Sequence, residues 1–165
     1  MSDERTESNS EQSNDGARNS RAKNYPSSAE IEADNLTSEV LATAIELHKA
    51  LGPGRRESVY RQGLMNVLRA DGVRVAAEKS FDIELRGEVV GTAHVDLWVE
   101  EQLVIEVKAV QQLRHAHLRQ LGRYVETAGV RRGLLLNFGN GRLEIQRFTN
   151  FDARIPDDIK SRMEH

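Results

Sequence analysis

The stretch LVIEVKAV, residues 103 to 110, constrains this chain more than any other part of it. It is a short run made almost wholly of Leu, Val, Ile and Ala, the composition of a strand covered on both faces. Such a strand needs packed layers on either side, so the stretch predicts a domain with a sheet at its centre. Two charged residues, Glu106 and Lys108, interrupt it. Side chains alternate across a strand, so both point to the face that carries Val104, while Leu103, Ile105 and Val107 line the other. A charge placed there must find a partner or a metal, because unpaired burial is costly.

The rest of the chain supplies the layers. LTSEVLATAIELHKALG, from Leu36, puts Val40, Leu41, Ala44, Ile45, Leu47, Ala50 and Leu51 near helical spacing. Thr37 or Ser38 serves as its cap, and Gly52-Pro53-Gly54 ends it. A second helix is expected from about Arg56 to Ala70, with Tyr60, Leu64, Val67 and Leu68 on one face. Alternation then takes over. VRVAAEKSFDIEL and VVGTAHVDLWV form a hairpin about Arg86-Gly87, and Glu100-Glu101-Gln102 turns into the strand at 103. RHAHLRQLGRYVETAG is helical, with Leu118, Leu121, Val125 and Ala128 on one face. GLLLNFG and LEIQRF, joined at Asn140-Gly141, close the domain with a second hairpin. The order is α-α-β-β-β-α-β-β, a mixed β-sheet flanked by helices, of the α/β or α+β class.

The ends read differently. Residues 1–34 are polar, rich in Ser, Asn, Glu and Asp, and are expected to be a disordered tail. Residues 35–149 make the domain and 150–165 a weakly ordered C-terminal tail. The chain has no cysteine, which excludes disulfides, thiolate nucleophiles and Cys-type metal sites. No apolar run approaches the roughly 18 residues that span a bilayer, and the N-terminus lacks a signal-peptide core. The expected location is therefore cytoplasmic, away from membranes.

Net charge, −3 overall, is unevenly spread. Residues 108–149 hold eight bases and two acids, including Arg114, Arg119, Arg123, Arg131, Arg132, Arg142 and Arg147. Clustered arginine suits phosphates, while the plainer alternative is a solvated helix face.

The candidate chemistry starts from Asp96, in HVDLWV ten residues before Glu106. If the two strands pair through the turn at Glu100 and Glu101, Asp96 and Glu106 lie side by side. Adjacent carboxylates repel, and a divalent cation with hard oxygen ligands, Mg²⁺ or Mn²⁺, would resolve this. Lys108 could then orient an attacking water, an arrangement suited to metal-assisted phosphodiester hydrolysis. The alternative is a structural ion pair at a strand end. In GPGRRESVY, Glu57 falls in the first turn of the second helix, where the helix dipole favours an ionised carboxylate. His94 is expected on the strand face of Asp96, but its spacing from the other histidines matches no zinc motif. His48 reads as a boundary residue and Trp98 as packing.

These segments together resemble the GxxExxY proteins of the PD-(D/E)XK nuclease-like superfamily. The motif stands as Gly54-Arg55-Arg56-Glu57-Ser58-Val59-Tyr60, after a first helix that includes His48. HVDLWVEEQLVIEVKAV resembles the family's Asp and Glu-x-Lys strands. HLRQLGRYVETAG resembles its following helix through His117, Gln120, Leu121 and Tyr124. Val95 stands before Asp96 where the superfamily's name has Pro. The resemblance spans about residues 36–149. It implies a restriction-endonuclease-like fold, a metal held by Asp96 and Glu106, and a water served by Lys108. It also implies that Glu57 enters from its helix as a further metal or water ligand and that Gln120 reaches in from the helix after the Glu-x-Lys strand. Arg114, His117, Arg119, Arg123 and Tyr124 are candidates for contacts to a DNA or RNA substrate. Two other readings remain open: a non-catalytic nucleic-acid-binding or regulatory module on the same fold, and an interaction subunit whose N-terminal tail engages a protein partner.

Overall fold

The computed structural model describes residues 28–151. Of the tail expected over residues 1–34, with its suggested protein partner, residues 1–27 lie outside the described residues, as do residues 152–165 of the one expected over 150–165. Within them the element order is the expected one. Helix α1 spans Ser28–Leu51 and α2 Glu57–Ala70; strands β1 (Val75–Leu85), β2 (Glu88–Val99) and β3 (Leu103–Lys108) follow; then come α3 (His115–Ala128), β4 (Arg132–Asn137) and β5 (Glu144–Thr149).

One expectation fails at the start of α1. The helix begins at Ser28 rather than near Leu36, so Thr37 and Ser38 lie inside it and cap nothing. The Thr37 hydroxyl instead donates back to the Ala33 carbonyl, 2.8 Å away. Polar composition suggested a tail there, but Asp34 forms an ion pair with Arg132 at the start of β4, a long-range contact that composition cannot reveal.

The five strands form one sheet in the order β1-β2-β3-β4-β5. All neighbours are antiparallel except β3 and β4, which run parallel because α3 crosses between them. Helices α1 and α2 bury Val40, Leu41, Ala44, Tyr60, Leu64 and Leu68 against Leu103, Ile105 and Val107 on one face. Helix α3 buries Leu121 and Val125 against Val95, Val104 and Leu135 on the other. β3 is thus covered on both sides, and each fully buried Leu or Val contributes about 1.5–3 kcal/mol.

Two tight fits set the spacing of these layers. Gly122 of α3 approaches the Phe148 ring closely, and a Cβ at Gly133 of β4 would press into Val125 and Leu121. The small residues let α3 lie against the sheet beside β3.

The loop before α2 is tied down by Tyr60, which is fully buried. Its hydroxyl donates to the Gly52 carbonyl at 2.6 Å and accepts from the Arg55 amide at 3.2 Å. Its ring stacks on Phe138 with centroids 4.6 Å apart. Gly54 in that loop holds φ +93°, a conformation costly for other residues. Tyr60→Phe keeps the stack but removes both hydroxyl bonds. It should lower stability by about 1–2 kcal/mol in urea unfolding; an unchanged midpoint would mean the loop does not depend on the hydroxyl.

Candidate active site

The site grows from the turn between β2 and β3. Glu100 and Glu101 both hold positive φ, 49° and 55°, which makes a turn tight enough to pair Val99 with Leu103 and Leu97 with Ile105. Continued by one step, that register sets Asp96 opposite Glu106. At that step the ladder gives way to side chains. The Glu106 carboxylate accepts from the Asp96 amide at 3.1 Å, and the Asp96 carboxylate accepts from the Val107 amide at 2.8 Å. Each acid is anchored by the other's strand.

Asp96 also marks a break in β2. Val95 belongs to the α3-side core, whereas Leu97, two residues on, belongs to the opposite one. Strand alternation would place both on one face. On the neighbouring strand, Glu78 adopts φ +53°, and the β1–β2 pairing omits Glu78 and Asp96. This break turns Asp96 toward α2. It also corrects the expectation that His94 and Asp96 share a face: His94 is exposed and its Nδ1 lies 3.0 Å from the Ser80 hydroxyl.

Glu106 is only 4 % exposed. Burial, and then the adjacent Asp96 carboxylate, push its pKa up to about 8. Glu57, the first residue of α2, faces the same place half-buried. Burial raises its pKa, with Lys108 opposing and Asp96 adding to the rise. Lys108 ends β3, half-buried. The chain after it is clamped by Asn137, whose amide donates to the Val110 carbonyl and accepts from the Val110 amide, both at 2.9 Å. A Cβ at Gly139 would collide with the Val110 backbone, so this close approach requires glycine.

The other expected residues are placed less directly. Gln120 and Tyr124 bond to each other along α3, amide to hydroxyl, at 2.9 Å. His117 Nδ1 accepts from the Arg114 amide at 3.1 Å and so helps close the first turn of α3. Its imidazole still lies near enough to favour the charged form of Glu57. Arg114 lines a separate open cleft of about 410 Å³ with Leu113, His115, Leu118, Leu135 and Gln146. Arg119 and Arg123 stand exposed on α3. His48 is buried with Nε2 2.8 Å from the Asn140 carbonyl oxygen. Trp98 packs edge-on against Phe81.

One residue at the site escaped sequence reasoning. Arg61 of α2 sets Nη1 3.5 Å from Asp96 Oδ1 and Nη2 3.4 Å from Glu78 Oε1. It follows Glu57 by four residues, one helical turn on the same face, and that spacing was the available signal.

The donors suit a hard divalent cation. Asp96 and Glu106 offer carboxylate oxygens side by side, and a cation would offset the burial, and then the repulsion from Asp96, that favour the protonated form of Glu106. Among the described residues no three His, Asp or Glu side chains converge as a metal cluster. Two carboxylates fit Mg²⁺, which keeps several of its waters.

With this geometry in place, the comparison with known families is decisive. The model of the PD-(D/E)XK nuclease superfamily matches residues 34–148. The chain belongs to that superfamily. Its five-stranded mixed sheet flanked by helices has the superfamily's restriction-endonuclease-like form, and the match covers α2, the Asp96 and Glu106 strands and α3. Among solved structures, the crystal structure of SSO0001 is similar, at 18% identity and a TM-score of 0.45 over 81% of this chain. The similarity spans 66% of that protein's chain. No curated protein matches the sequence. No described helix is long and apolar enough to cross a membrane.

Proposed function

We propose that the chain is a nuclease of the GxxExxY group that hydrolyses phosphodiester bonds in DNA or RNA with Mg²⁺ or Mn²⁺. The interlocked pair of Asp96 and Glu106, faced by Lys108 and Glu57, carries this reading. A buried Glu106 held against the partly buried Asp96 is unfavourable when both are ionised, and a cation offsets that cost. Bound there, Mg²⁺ or Mn²⁺ would draw charge from the scissile phosphate. Lys108 would donate to a phosphate oxygen and orient the attacking water. Glu57, whose raised pKa suits proton uptake, would receive the water's proton. Gln120 would hold the water or phosphate from α3. Arg114, His117, Arg119, Arg123 and Tyr124 would bind the flanking strand, chiefly through its phosphates.

The test is cleavage. Purified protein with Mg²⁺ or Mn²⁺ should cut at least one form of duplex or single-stranded DNA or RNA, and chelation or Lys108→Ala should stop it. Salt-sensitive binding without turnover in every form would favour a non-catalytic nucleic-acid module instead.

Glu106 adds a pH signature. A cation at the pair needs the ionised form, so it displaces the proton held below about pH 8. Mn²⁺ affinity should climb with pH up to about 8 and then level off. Calorimetry in buffers of different ionisation enthalpy should show about one proton released at neutral pH and almost none a unit or more above the Glu106 pKa. Affinity independent of pH would remove Glu106 from the ligand set.

A further inference from the structure

Asp96 has two carboxylate oxygens, and they are engaged differently. Oδ2 accepts from the Val107 amide, a backbone bond that fixes the side chain. Oδ1 faces the Arg61 guanidinium. Oδ1 is the Asp96 oxygen not committed to the backbone and so the freer one to join a cation shared with Glu106, and it is the oxygen Arg61 contacts.

Arg61 also reaches outward. Its other terminal nitrogen approaches Glu78, whose side chain is 68% exposed, against 16% for Asp96. Both contacts are single and long, 3.4 and 3.5 Å, unlike the short bidentate pairs that hold arginine firmly. The guanidinium therefore sits between an inner carboxylate at the site and an outer one at the surface. Glu78 lies at the break in β1 opposite Asp96, so the two acids are neighbours across the strands and the guanidinium touches both, one through each terminal nitrogen.

We infer that Arg61 is a displaceable counter-ion. It competes with a divalent cation for Oδ1 of Asp96 and yields by shifting onto Glu78. Arg61 thereby sets the cation concentration at which the site fills, and Glu78 sets how readily Arg61 moves. This inference rests on the metal-site reading above.

Mn²⁺ calorimetry at pH 8 on the full chain tests it, using wild type, Arg61→Met, Glu78→Gln and the double variant. Arg61→Met should bind Mn²⁺ about fivefold tighter, the size to which a partly exposed ion pair converts. Arg61→Gln, which keeps a donor for Glu78 but loses the charge, should act in the same direction. Glu78→Gln should weaken binding about threefold, since Arg61 loses its outer seat. In the Arg61→Met background Glu78→Gln should have no effect. An equal effect of Glu78→Gln in both backgrounds overturns the exchange, because a general field needs no coupling between the two residues. Unchanged or weaker binding by Arg61→Met overturns the counter-ion role and leaves the metal site standing. No Mn²⁺ binding by wild type or either Arg61 variant overturns the metal site, and the counter-ion with it.

Discussion

Asp96→Ala should abolish metal-dependent cleavage, lowering the rate by about 10³-fold or more. The substitution removes half of the paired carboxylate donors. It also deprives the Val107 amide of its acceptor, in the strand segment that leads to Lys108. A loss in Asp96→Ala alone could therefore reflect a shifted strand. Asp96→Asn separates the two effects, because its carbonyl oxygen can still accept from Val107. If the acid matters as a ligand, Asn should be nearly as inactive as Ala while melting close to wild type, and neither should show Mn²⁺ binding near the wild-type affinity. Cleavage within a few-fold of wild type by the Asn variant would show that the carboxylate charge is dispensable and would exclude metal-assisted hydrolysis at this pair.

That Asp96 and Glu106 would meet could be read from the sequence, because the inference needed only a short turn. Glu100-Glu101-Gln102 leaves few ways to join two apolar strands, and the positive φ at both glutamates is the turn that results. The same locality made the element order legible: helical periods in α2 and α3, and alternation in the second half of β2, are set by which face is buried. What stayed hidden depends on distant residues. The early start of α1 is tied to Arg132, about a hundred positions downstream. The turn of Asp96 toward α2 follows from the irregular backbone at Glu78, and strict alternation predicted His94 beside it instead. Asn137 gave no signal, since a buried amide that satisfies Val110 looks like any strand-end polar residue. Tyr60 belongs to the motif that carries the family resemblance, yet its position is explained by packing on Phe138 and by its bond to Gly52. A motif mixes residues that react with residues that hold the loop, and burial separates them.

Glu106 is where the fold and the site pull hardest against each other, and Glu106→Gln should expose the conflict. In the folded protein the carboxyl is pushed up to about 8, against 4.5 for the ordinary group. The folded state therefore holds a proton more firmly than the unfolded chain. Stability from that proton is fully present below about pH 4.5, falls as pH rises through the interval, and is lost by about pH 8. At about 1.4 kcal/mol per pH unit, the cost of ionising Glu106 in the cation-free protein reaches a few kcal/mol. Glutamine does not titrate, and its carbonyl oxygen can still accept from the Asp96 amide. In chelator, Glu106→Gln should match wild type near pH 4.5 and exceed it by a few kcal/mol near pH 9, as read by urea unfolding. With Mn²⁺ added the order should narrow or reverse, because only wild type gains binding energy from the cation. A gap between the two proteins that stays constant from acid to alkaline pH would show that Glu106 carries no excess proton in the fold. The expected outcome is a variant more stable than its parent and unable to bind the cation, since the group that strains the fold when ionised is the one the cation requires.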